Sequence, residues 1–84
     1  MTDPHRLAAA LAAAWLDVLG SPPAPDTQFY ALGGDSLSAM RIAMRVAAEA
    51  PAVEDLDVLL MTEILDGGRY ADIEASLHGL PLDA

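Results

Sequence analysis

Glycine and proline divide this 84-residue chain into stretches, and in four of them the apolar residues recur at helical spacing. That pattern restricts the fold to a bundle of short helices. Asp3 followed by Pro4 marks the first start, because an aspartate accepts from free backbone amides and proline at the first helical position gives up no needed donor. Leu7, Leu11, Trp15 and Val18 then line one face; Gly20 supplies a stop, and Pro22 with Pro23 prevents resumption. A second helix begins at Ser36 under an Asp35 cap and ends near Glu49, before Pro51. A short third helix from Val58 to Leu65 takes Asp57 as its cap and stops at Gly67 and Gly68. Tyr70, Ile73 and Leu77 carry the fourth, closed by Gly79 and Pro81 ahead of a tail expected to fray. The expectation is an all-α domain over residues 1–84 with helices at about 4–19, 36–49, 58–65 and 69–78, three longer and one short. The chain shows no internal repeat and no heptad run.

A long connection from Ser21 to Asp35 separates the first two helices and holds three prolines and two glycines. A connection of about 15 residues in so small a domain is functional or disordered. Phe29, Tyr30 and Leu32 within it argue for order, with Phe29 and Leu32 as anchors onto the core. The aromatics are few, and the 54% hydrophobic content is rich in alanine, so the core must come from aliphatic helix faces.

Charge and composition exclude several functions. Thirteen acidic residues face four arginines and no lysine, for a net charge of -9. No basic stripe is present to neutralise phosphates, which argues against nucleic acid; an acidic surface suits docking onto basic patches of partner proteins, or serves only for solubility. With no cysteine there is neither a disulfide framework nor a thiolate metal site, and Asp55 and Asp57 lack the spaced ligands of a calcium loop. No metal site is expected. The apolar runs Leu7 to Leu16 and Val58 to Met61 are too short to span a bilayer, and no signal peptide follows Met1. The protein is expected to be cytoplasmic and monomeric.

The second helix divides its apolar residues into two sets. Ala39, Ile42, Ala43, Val46 and Ala47 form one side; Leu37, Met40 and Met44 lie beside Arg41 on another, more apolar than a solvent face requires. Met40 and Met44 either finish the core or form an adaptable contact surface, since methionine accommodates several partners.

The distinctive stretch is Asp26-Thr27-Gln28-Phe29-Tyr30-Ala31-Leu32-Gly33-Gly34-Asp35-Ser36-Leu37. It resembles the peptidyl carrier proteins, or thiolation domains, of nonribosomal peptide biosynthesis: an acidic residue, two aromatics, leucine, two glycines, aspartate or histidine, serine, then leucine or isoleucine. The resemblance implies a four-helix bundle of the acyl-carrier type. It also implies that Ser36 receives 4'-phosphopantetheine from coenzyme A through a separate phosphopantetheinyl transferase, which brings magnesium and the general base. Gly33, Gly34 and Asp35 would shape that site, and Leu37, Met40, Arg41 and Met44 would dock partners: an adenylating loading enzyme, then condensation or tailoring enzymes. The residues themselves agree. Two glycines permit a sharp turn that exposes the hydroxyl, and a phosphodiester at a helix N-terminus lies near free amides and the positive end of the dipole. Nothing in the chain activates Ser36, because His5 and His78 fall at opposite termini of the sequence and a nucleophilic serine needs a base within reach. The expectation is a non-catalytic carrier that tethers an aminoacyl or acyl group as a thioester on the cofactor's thiol.

Past Pro51 the likeness departs. Carrier domains of large synthetases commonly begin the last helix with proline-threonine, where this chain has Asp66-Gly67-Gly68-Arg69-Tyr70. The start at methionine and the end soon after the last helix fit a discrete, stand-alone carrier, although an excised domain would look similar. Two alternatives remain: an acyl carrier of polyketide or fatty-acid type, against which the double glycine, Tyr30, Arg41 and Arg45 argue, and a non-carrier helical adaptor that binds through Leu37, Met40 and Met44.

Overall fold

The computed structural model describes residues 3–80 and contains four α-helices in that span: α1 (Pro4–Leu19), α2 (Ser36–Ala47), α3 (Leu56–Leu65) and α4 (Tyr70–Leu77). The fold is the all-α four-helix bundle of the acyl-carrier type. Pro81 and the tail expected to fray lie outside the described residues.

α1 begins and ends on the signals in its sequence. The Asp3 side chain accepts from the Arg6 amide at 2.9 Å, Pro4 occupies the first turn, and Gly20 turns left-handed (φ 79) while its N–H donates to the Leu16 carbonyl. Leu7, Leu11 and Trp15 are buried, with Val18 packed at the edge of the core.

The other helices depart from the sequence expectation in ways that packing explains. α2 stops at Ala47 rather than Glu49, because the chain tightens into three-residue turns there, with the Glu49 amide donating to Val46 and Ala50 to Ala47. That tightening turns Ala50 into the core. α3 starts at Leu56, two residues before the expected Val58, because Leu56, Leu60 and Ile64 are its buried stripe. Asp57 is therefore not its cap but its second residue, where a carboxylate favours the positive end of the helix dipole. The shortest helix is α4, with 8 residues against 10 in α3, so the expected short third helix is corrected. Arg69 and His78, both expected within α4, flank it; Arg69 is extended because it pairs with Gln28 in an isolated antiparallel bridge.

α1 packs on α2 and α2 on α3, while α4 lies against both α1 and α3. Trp15 stands edge-on to Phe29 (6.0 Å between centroids) and to Tyr70 (5.1 Å), joining α1, the long loop and α4. Edge-to-face aromatic contacts are worth about 0.5–1.5 kcal/mol beyond their burial. The indole N–H of Trp15 has no hydrogen-bond partner among the described residues.

The loop between α1 and α2 is ordered by main-chain pairing with the α3–α4 corner. The Phe29 amide donates to the Gly68 carbonyl at 2.7 Å, Tyr70 to Thr27 at 2.9 Å and Ala71 to Pro25 at 3.1 Å. Phe29 is fully buried and Leu32 partly so, as their sequence positions suggested. A single 3₁₀ turn, Tyr30–Leu32, leads into the second helix.

Candidate functional site

The start of α2 is built on Phe29. Its carbonyl accepts from both Leu32 and Gly34 at 3.2 Å, which curls the chain back over its own ring. Gly33 makes the bend in the left-handed region, φ 83, where a side chain would strain the backbone. Gly34 is needed for a different reason: a Cβ there would fall 2.5–2.6 Å from three carbons of the Phe29 ring. One glycine supplies conformation and the next supplies space.

Asp35 then extends (φ -139, ψ -177) and caps α2, its Oδ1 accepting from the Ser38 amide and the Ser38 hydroxyl, each at 2.9 Å. The Ser38 amide foremost, then its hydroxyl, the Leu37 amide and the charge of Arg41, hold the Asp35 carboxyl below the usual aspartate range against the opposing effect of desolvation. The carboxylate is thereby committed to the cap.

Ser36 is the first residue of α2 and is exposed; its hydroxyl makes no hydrogen bond to the described residues. Its amide has no partner four residues back within the helix, and the dipole's positive end lies there. These features fit a covalent phosphodiester: an accessible oxygen, no competing bond and favourable backbone polarity. They offer no means of ionising the hydroxyl from within. His5 and His78, distant in sequence, stand edge-on with centroids 6.2 Å apart. Next to His5, Arg6 pairs with Glu49 at 2.9 Å, beyond the end of α2 opposite Ser36. A helix of 12 residues is about 18 Å long, so the histidines are out of reach.

The expected contact residues Leu37, Met40, Arg41 and Met44 are all exposed, Met44 by 56%. Met40 and Met44 do not finish the core; Ala39, Ile42, Ala43 and Val46 do. Arg45 reaches across to Asp17 at 2.7 Å, whereas Arg41 has no ion-pair partner among the described residues. Sequence reading missed the other half of this surface. Val58 and Leu59 of α3 are 59% and 48% exposed, and a groove of about 170 Å³ lined by Met40, Ala43, Met44, Asp57, Val58 and Met61 separates the two helices. The Leu56, Leu60, Ile64 register was the available signal, since it turns Val58 and Leu59 outward. Tyr30 was also missed as a link: its hydroxyl donates to the Leu65 carbonyl at 2.8 Å, at the end of α3.

Among the described residues no helix is long and apolar enough to cross a membrane, and no group of three or more metal-ligating side chains gathers. Neither curated proteins nor solved structures gave a match to the chain. The family model described as "Phosphopantetheine attachment site" matches residues 9–64, from the first half of α1 through Ile64 of α3. With the fold of a carrier and two thirds of its length matched, the chain belongs to this family of acyl and peptidyl carrier domains, which bear a covalently attached 4'-phosphopantetheine.

Proposed function

We propose that Ser36 holds the phosphopantetheine and that the protein is a carrier of the peptidyl type, presenting an aminoacyl or acyl thioester to separate catalytic partners. The observation that carries the attachment site is the exposed hydroxyl, without a hydrogen bond among the described residues, at the first position of a capped helix inside the family-matched residues. In the transfer, the Ser36 oxygen bonds to the phosphorus of coenzyme A that bears pantetheine. The phosphoanhydride bond breaks, the adenosine bisphosphate leaves, and the transferase takes the serine proton. Ser36 is a substrate in this step, and the carrier's own contribution is tethering, which raises local concentration at each partner's active site.

The peptidyl assignment rests on the run from Asp26 to Leu37 and on Arg41 and Arg45 following it. Leu37, Met40, Arg41 and Met44 form its docking face. The reading holds whether the carrier works as a separate chain or within a longer one. One observation favours the acyl-carrier alternative: the apolar groove between α2 and α3 would shelter an aliphatic cargo better than a polar aminoacyl group.

Coenzyme A with a promiscuous phosphopantetheinyl transferase, followed by intact-mass measurement, tests the attachment. Wild type is expected to gain the arm and Ser36→Ala to gain nothing; an unmodified wild type sinks the carrier reading and leaves a helical adaptor. The modified protein is then offered adenylating enzymes with amino acids, or acyl and malonyl transferases. Loading by the latter alone overturns the peptidyl assignment.

A further inference from the structure

We propose that Gly68, at the corner between α3 and α4, is a positioning residue for Ser36 and acts through Phe29; this rests on Ser36 being the residue modified. Phe29 is held from two sides by glycines far apart in sequence. On one side its ring lies under Gly34, two residues before Ser36, close enough that a Cβ would sit 2.5 Å from the ring. On the other, the Gly68 carbonyl accepts the Phe29 amide at 2.7 Å, and a Cβ on Gly68 would stand 2.9 Å from the Phe29 Cβ and 2.9 Å from the Ile64 carbonyl. Gly68 is buried, and the contact is therefore part of the packed interior.

Close packing makes this chain of contacts stiff. A shift of Phe29 has no slack to absorb it, since Trp15 and Tyr30 stand against its ring at 6.0 and 5.3 Å and its carbonyl holds both Leu32 and Gly34. Displacement at Gly68 therefore passes to Gly34 and the cap of α2. Tyr30 adds a parallel tie from the same corner, its hydroxyl donating to the Leu65 carbonyl. The α3–α4 corner thus sets the position from which Ser36 meets the transferase, although no residue of that corner belongs to the motif around the serine.

Gly67 provides the control. It shares the turn and the left-handed backbone (φ 109, against 70 at Gly68), but a Cβ on it would meet nothing within 4 Å. Gly67→Ala and Gly68→Ala both strain the backbone, and only the second presses on Phe29. Pantetheine transfer to each is followed well below the unfolding temperature. Gly68→Ala is expected to lower kcat about tenfold with KM little changed, because misplacing a reacting group by a fraction of an ångström is costly and the exposed face of α2 is untouched. Gly67→Ala is expected to match wild type. Equal losses in both variants, or no loss in either, overturn the proposal. Tyr30→Phe, which removes only the hydroxyl of a half-exposed residue and keeps its ring, is expected to lower kcat about twofold by cutting the second tie; should Gly68→Ala not fold, an unchanged kcat in Tyr30→Phe overturns the proposal. Amide NMR shifts of Gly34 and Ser36 in the unmodified proteins separate this proposal from the attachment reading. They move in Gly68→Ala and not in Gly67→Ala if the coupling is real, even should wild type accept no arm, and shifts unmoved in Gly68→Ala refute the coupling.

Discussion

α2 and α3 both begin after an aspartate, and the two aspartates do different things. Asp35 is extended and caps its helix; Asp55 is left-handed (φ 57, ψ 25) and makes no side-chain capping bond. The difference comes from what precedes each. Before α2, Gly33 has already made the bend over Phe29, which leaves Asp35 free to extend. Before α3, successive tight turns from Ala47 to Val53 deliver the chain at an angle that Asp55 itself must correct. One start is packed from beneath and locked, as the attachment point proposed at Ser36 requires. The other is anchored by the buried Leu56, with Val53 partly buried just before it, and carries backbone strain at Asp55.

The largest expected effect comes from removing what locks the first start. Phe29→Ala deletes a fully buried ring on which α1, the loop and the Gly34 turn all rest. Its cost is expected to be about 3–5 kcal/mol, a large share of the ~5–15 kcal/mol total for a small domain. Urea unfolding followed by far-UV circular dichroism measures it. A loss under ~1 kcal/mol would mean that the start of α2 is held by its cap alone and that the two starts are more alike than the geometry indicates.

A smaller effect of opposite sign is expected at the second start. Asp55→Gly relieves the left-handed strain, and because no capping bond is lost, the protein gains about 0.5–1 kcal/mol. The same urea titration reads it. Destabilisation would show that the Asp55 carboxylate contributes something the backbone geometry does not reveal.

These contrasts mark where sequence reading succeeds. The faces of α1, α2 and α4 were legible because Leu7, Leu11 and Trp15, then Ile42 and Val46, then Tyr70, Ile73 and Leu77 keep helical spacing between clear stops. The Asp35 cap was legible because glycines precede it. The start of α3 was not, because Leu56 sits among Glu54, Asp55 and Asp57, and an acidic run reads as an approach to a helix whose first core residue it conceals. The dependence of the Ser36 turn on Gly68 was equally hidden: no local pattern links residues brought together only by a hydrogen bond and a close approach across the fold. Local rules located the turn proposed for attachment, while its support is a tertiary matter.

The smallest expected effect concerns protonation of the cap. Hydrogen bonds from Ser38 depress the Asp35 carboxyl in the folded state, so between its folded pKa and the unfolded value of about 3.9 the unfolded chain binds more protons. The capping contribution is therefore complete above the unfolded pKa and is lost as the pH falls through the depressed folded value. Asparagine caps a helix about as well as aspartate but does not titrate. Asp35→Asn should thus leave stability at pH 7 nearly unchanged and flatten the part of the acid limb below pH 4 that Asp35 contributes, as seen in urea midpoints measured across that range. Carboxyl NMR titration of wild type supplies the complementary reading, with Asp35 titrating below the ordinary aspartate value. A midpoint at or above that value would mean that the carboxylate does not hold its bonds to Ser38, and the capping contrast with Asp55 would be lost.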